Sequence, residues 1–151
     1  MLIGVISDTH RLLRLEALAA LRGVEHIFHA GDVGDAFILD QLRQMAPVTA
    51  IRGNIDRGGR CRRLPETELV ELGGQSIYML HDQMMLDLDP VAAGIAAVVS
   101  GHSHHPAIEW RKGVLYFNPG SAGPRRFSLP VSVGFLEVSE TGIQPRLLTI
   151  G

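Results

Sequence analysis

The chain has 151 residues, 46% of them hydrophobic and 20% charged, with a formal net charge of −2 and seven histidines. That length suits one domain, 1–151, with a buried core, and the charge balance gives no basic footprint for nucleic acid. Cys61, the lone cysteine, excludes an intrachain disulfide; with no signal-like or membrane-spanning apolar run, the expectation is a cytoplasmic protein without a membrane partner, its oligomeric state left open.

Leu2 to Ile6 is an unbroken apolar run of the kind buried on both faces of a sheet, and it ends in Ser7-Asp8-Thr9-His10. Leucines and alanines at helical spacing predict a helix over Arg11–Arg22, stopped by Gly23. A second strand, His26 to His29, leads into Ala30-Gly31-Asp32. A second helix, about Asp35 to Met45, carries Phe37, Ile38, Leu42 and Met45 on one side. Pro47 ends it, and Val48 to Ile51 forms a third strand before Arg52-Gly53-Asn54-Ile55-Asp56. This β-α-β-α-β order implies right-handed crossovers and a parallel sheet.

Beyond Asp56 the period changes. Arg57 to Pro65 reads as a basic loop, and Glu68–Leu72 with Gln75–Leu80 alternate about Gly73-Gly74 as a hairpin ending at His81-Asp82. A short helix is expected within Met84–Gly94. Ala96 to Val99 is a buried strand followed by Gly101-His102-Ser103-His104-His105. Two further hairpins are expected, one turned at Lys112-Gly113 and one at Glu140-Thr141-Gly142. Two sheets packed face to face, with helices outside, bury both patterns.

Five strand ends hand the chain to a residue able to bind metal: Asp8/His10, Asp32, Asn54, His81 and His102/His104. Glycine stands beside three of them, at Gly31, Gly53 and Gly101. In an irregular turn, imidazoles at i and i+2 converge where on a helix they diverge. The set exceeds what one tetrahedral zinc needs and suits two divalent ions, with Asp32 able to bridge. Taken singly, Asp8 and Asp32 read equally as helix N-caps and Asn54 as a turn residue. His26 and His29 read as core or edge histidines, and His105 as a non-ligand. For all five strand ends to carry a ligand type by accident is the weaker explanation.

Asp8-x-His10, Gly31-Asp32, Gly53-Asn54-x-Asp56, His81 and Gly101-His102-x-His104, in this order, resemble the motifs of the calcineurin-like metallophosphoesterases. Asn118-Pro119-Gly120-Ser121 is similar to the small bacterial and archaeal phosphodiesterase branch. The resemblance implies an αββα sandwich of two mixed sheets flanked by helices, and a binuclear centre. Asp8, His10 and His104 would hold one ion, Asn54, His81 and His102 the other, with Asp32 between. Mn²⁺ is the first expectation for both ions, with Zn²⁺, Ni²⁺ or Fe as alternatives.

Two positions depart from the pattern. Asp82-Gln83 follows His81 where relatives carry Gly-His, and Ile55 stands where many members place a proton-donating His. The implied chemistry is hydrolysis of a small phosphate ester, most readily a diester, by a metal-activated bridging water. Asn54 and Asp56 are the catalytic candidates; Asn54 and Arg57 are the substrate-binding ones. Arg57, Arg60, Arg62 and Arg63, with Arg125 and Arg126, read either as an anion funnel or as solvated charge. The competing class is a non-catalytic interaction scaffold on the same fold.

Overall fold

The computed structural model describes residues 1–151. In chain order the strands are β1 (Leu2–Ile6), β2 (His26–His29), β3 (Val48–Ala50), β4 (Thr67–Leu72), β5 (Gln75–Leu80), β6 (Ala97–Val99), β7 (Ala107–Arg111), β8 (Val114–Asn118), β9 (Ser132–Ser139) and β10 (Gly142–Thr149). Two α-helices, α1 (Leu15–Ala20) and α2 (Ala36–Arg43), connect the first three strands. The first sheet has the order β10-β9-β1-β2-β3 and the second β4-β5-β6-β8-β7. Each has a parallel part, β1-β2-β3 at one edge of the first sheet and β5-β6-β8 at the middle of the second, with antiparallel strands completing it. The carboxyl ends of both parallel parts are where ligand-type residues stand, the place where open sheets of this kind form their crevices.

Strand alternation assigns each face a cluster. Ile3, Val5 and Phe28 of the first sheet meet Ile77, Met79, Val99, Leu115 and Phe117 of the second in the layer between the sheets. Gly134 makes room there, since a Cβ on it would lie 2.4 Å from the Phe117 ring. The other face of the first sheet, with Ile6, Ile27 and Phe135, packs under both helices through Ala17, Leu21, Ile38, Leu39 and Leu42. The outer face of the second sheet is covered instead by irregular chain, where Leu86, Leu88 and Ile95 pack on Leu80, Val98 and Val114. The sandwich therefore has its two mixed sheets and a helical layer on one side, with little helix on the other.

Three local expectations change. α1 is half the predicted length because Arg11 sits at φ 72°, outside the helical region, and its N–H bonds Val33 O. The segment before Arg14 is drawn into the site instead. On α2 the buried set is Ile38, Leu39 and Leu42, while Phe37, one position earlier, is exposed. Between Met84 and Gly94 there is only a 3₁₀ turn, Gln83–Met85, and then turns that end at Gly94 with φ 73°. Asp8 and Asp32 cap neither helix: Arg14 and Asp35 occupy those positions, and Asp35 accepts from the Phe37 N–H.

Candidate metal centre

The loops after β1, β2, β5 and β6 fold inward onto one another. Asp8, His10, Asp32, His102 and His104 all have φ between 46° and 70°. Asp and His tolerate this left-handed region better than most residues, but five in one place store strain of the sort that functional sites retain. Close backbone approach is the second device. A Cβ on Gly53 would lie 2.2 Å from the Asp32 N, and one on Gly101 would lie 2.1 Å from the Ser7 hydroxyl and 2.6 Å from Asp8 Oδ2.

Asp8 is fully buried, and its two oxygens have different surroundings. Oδ2 accepts from the Ser7 hydroxyl at 2.7 Å and from the His102 N–H at 3.0 Å. Oδ1 lies 3.4 Å from His104 Nε2, 3.6 Å from His10 Nε2 and 3.8 Å from His81 Nε2. Asp32 divides its oxygens in the same way. Oδ1 accepts from the Ile55 N–H at 3.1 Å, and Oδ2 lies 3.2 Å from His10 Nε2 and 3.3 Å from His81 Nε2. His81 Nδ1 meets the Ala30 carbonyl at 2.7 Å and must donate to it, which fixes the tautomer and leaves the Nε2 lone pair facing the carboxylates.

Asp8 Oδ1, His10 Nε2, His81 Nε2 and His104 Nδ1 are buried without a hydrogen-bond partner. An orphaned buried polar atom costs about 1–3 kcal/mol, so the three that converge, Asp8 Oδ1, His10 Nε2 and His81 Nε2, need a common resolution. Divalent cations supply it: two ligand atoms each about 2.1 Å from an ion stand roughly 3–3.4 Å apart, near the spacings seen. Two three-residue groups have their ligand atoms within 4.8 Å of one another, Asp8-His10-His104 and Asp8-Asp32-His81. The residues present fit such ions.

The charge pattern agrees with this. Burial opposes ionisation of Asp8, but the imidazoles of His10, His104 and His81 outweigh it and hold the carboxyl well below its ordinary range. Asp32 is likewise lowered against burial, chiefly by His81, and His81 is raised against burial by Asp32 and Asp8.

Of the expected ligands, five are thus brought together: Asp8, His10, Asp32, His81 and His104. The other two stand at the rim. The side chain of His102 is 43% exposed, with its ring 5.2 Å from that of His81 and Nε2 3.7 Å from Asp82 Oδ2. Asn54 is exposed and shares a cleft with His81. Asp8, rather than Asp32 alone, occupies the middle. His105 is exposed and outside the cluster.

Asp56, expected as a catalytic candidate, lies among backbone N–H groups. It is buried, Oδ1 accepts from the Gly34 N–H, and Oδ2 accepts from the N–H groups of Val33 and Gly53. Its carboxylate is committed to tying two loops together, a positioning role. Arg57 is exposed and its Nε donates to the Asn54 carbonyl. Arg60 is withdrawn from the expected funnel, because its guanidinium forms a two-pronged pair with Asp40.

Sequence patterning does not reveal the contacts that hold the site from behind, although it places His29 in the core or at an edge and marks Asn118 to Ser121 as a motif. His29 is fully buried; its Nδ1 accepts from the Gly31 N–H, so Nε2 carries the proton and donates to Thr9 Oγ1 at 3.0 Å. The Thr9 hydroxyl in turn donates to the Val33 carbonyl at 2.9 Å. Asn118 donates to the Gly101 carbonyl and to Ser103 Oγ, and Ser121 donates to the Asp8 carbonyl. Asn118 stands at a sixth strand end, a signal the sequence did contain.

A fold with ligand-bearing loops at the ends of two mixed sheets defines a metallophosphoesterase-type centre. The chain belongs to the calcineurin-like phosphoesterase superfamily, whose domain model matches residues 1–141. It is 37% identical over 134 residues to a probable metallophosphoesterase of Methanocaldococcus jannaschii, covering 80% of this chain and 68% of that protein. Among solved structures, an archaeal phosphodiesterase aligns with a TM-score of 0.81 at 24% identity, over 98% of this chain and all of the other. Vps29 from Entamoeba histolytica aligns with a TM-score of 0.78 at 21% identity over the full length of both. At these identities the two structures share the fold.

Proposed function

We propose that this protein is a phosphodiesterase working with two divalent ions, Mn²⁺ foremost and Zn²⁺, Ni²⁺ or Fe as alternatives. Three buried, unpartnered atoms that face one another, Asp8 Oδ1, His10 Nε2 and His81 Nε2, carry this reading. Asp8, His10 and His104 would hold one ion. Asp32 and His81, joined from the rim by Asn54 and His102, would hold the other. Bound there, such ions supply Lewis acidity and an acidified water at neutral pH. The chain itself does the rest. The Asn54 amide would donate to a phosphoryl oxygen, and Arg57, anchored on the Asn54 carbonyl, would bring its guanidinium to the same rim.

Ile55 cannot pass a proton to the leaving oxygen, and the Asp56 carboxylate is occupied by three N–H groups. Since general acid catalysis contributes about 10²–10⁴-fold, good leaving groups should be strongly preferred. The test loads purified protein with Mn²⁺, Zn²⁺ or Ni²⁺, measures ions per chain, and assays bis(p-nitrophenyl) phosphate. Two ions with hydrolysis, and loss of both in Asp32→Ala, is the expected result. A loaded protein that keeps no ion and hydrolyses no ester overturns it in favour of the scaffold reading.

A further inference from the structure

Two clefts of opposite charge meet beside the metal centre, sharing Arg52, Gly53 and Asn54. We propose that the physiological substrate is a zwitterionic phosphodiester, the ester of an amino alcohol, with its ammonium group seated in the acidic cleft. The inference rests on the phosphodiesterase reading above and adds the chemistry of one ester arm.

The acidic cleft has a volume of about 630 Å³ and includes Glu66, Asp82 and Asp87 in its wall. Its one cationic side chain outside the centre is Arg52. That guanidinium is spent on Glu66 and on the Arg62 carbonyl. Asp82 and Asp87 are left as the uncompensated charge. Asp82 Oδ1 is fixed by the Met84 N–H, which turns Oδ2 toward His102. Tyr78 and Met85 complete the wall with an aromatic face and a soft apolar surface. Such a lining attracts an alkylated ammonium and not a second anion.

The cleft opens onto the reactive centre. His81, 6% exposed and with Nε2 unpartnered, stands in its wall together with Asn54. The second cleft, of about 400 Å³, has Arg52, Arg57 and Arg62 in its wall and no hydrophobic residue. Its one acid, Asp56, is already bound by backbone N–H groups. A phosphate held at Asn54 therefore has cations on one flank and acids on the other. A zwitterionic ester matches that polarity, and a polyanionic nucleotide arm meets two carboxylates that no arginine or lysine pairs.

The test compares p-nitrophenyl phosphocholine with the isostere whose alkyl arm is uncharged, p-nitrophenyl 3,3-dimethylbutyl phosphate, on Mn²⁺-loaded protein. The zwitterionic ester should be favoured about tenfold in kcat/KM, and the preference should shrink as salt is raised. In Asp87→Asn the ratio should fall toward one. Choline should also compete more strongly than 3,3-dimethylbutanol in wild-type protein, a readout that needs no variant. Hydrolysis of bis(p-nitrophenyl) phosphate with equal rates for the two isosteres overturns this inference and leaves the phosphodiesterase reading standing. Hydrolysis of none of the three esters overturns that reading itself.

Discussion

The two sheets make unlike contributions to one site. The loops of the first bring the buried acids, Asp8 and Asp32, with His10 and Asn54. Those of the second bring only imidazoles, His81, His102 and His104. Neither half is complete alone, and the contacts that join them cross between sheets. The His102 N–H bonds Asp8 Oδ2, and His81 Nδ1 donates to the Ala30 carbonyl. Carboxylates on one side and imidazole nitrogens on the other make a cation the natural filling. The site is thus a product of docking, and anything that spreads the sheets at this end should empty it.

The largest expected effect comes from the middle of that junction. Asp8→Asn keeps the shape and the Ser7 contact but removes the charge that faces three imidazoles. Bound ion should be lost, and hydrolysis should drop by more than about 100-fold, the upper end of what losing a supporting partner costs. Far-UV circular dichroism should be unchanged. A variant that still holds two ions per chain would show that the halves do not meet through Asp8.

Gly101→Ala tests the docking directly, without touching a ligand. The new Cβ would fall on the Ser7 hydroxyl and Asp8 Oδ2, both buried, so the second-sheet turn must retreat. Ion affinity and activity should fall about 10- to 100-fold, the range for an outer partner. Ion affinity equal to wild type, measured by competition with a chelating dye, would mean that the turn yields cheaply.

The third effect is on stability and lies wholly in the first half. Burial drives the His29 pKa down to about 4, with Asp56 and Asp8 offsetting part of the loss. Between the ordinary histidine value of about 6.5 and 4 the unfolded chain holds more protons than the folded one, so stability falls as the pH drops through that window. The contribution is about 3 kcal/mol, and below pH 4 it flattens. His29→Gln should be less stable near pH 7, through loss of the Thr9 and Gly31 contacts, yet decline less steeply toward pH 4. Parallel urea-midpoint curves for the two proteins would remove His29 from the account.

Much of this was legible because each ligand lies next to the strand end that delivers it. Asp8, Asp32, His81 and the His102-His104 pair could be read from a run of apolar residues breaking into a polar one. What could not be read depends on distant partners. Ser121 reaches the Asp8 carbonyl across 113 positions, and Asn118 reaches Gly101 across 17. Periodicity carries no trace of either. The short α1 shows the same limit from the other side. Leucine spacing favours helix from Arg11 onward, but the N–H groups of His10 and Arg11 are taken by Asp32 O and Val33 O, and tertiary contact wins.

The smallest expected effect separates two arginines that look alike in sequence. Arg57 and Arg60 both belong to the basic stretch after Asp56, and an anion funnel would use both. Only Arg57 lines a cleft with Asn54, while Arg60 is turned to Asp40 on α2. Arg60 and Asp40 are each exposed to solvent or nearly so, where ion pairs contribute little, so Arg60→Ala should change KM by less than about twofold and stability only slightly. Arg57→Ala should raise KM several-fold with a smaller change in kcat, and flatten the salt dependence of kcat/KM. The pair is informative because net charge changes equally in both variants. Long-range steering alone would shift KM alike, whereas a local contact beside Asn54 separates them. Equal KM values at low salt would return the whole loop to solvated charge.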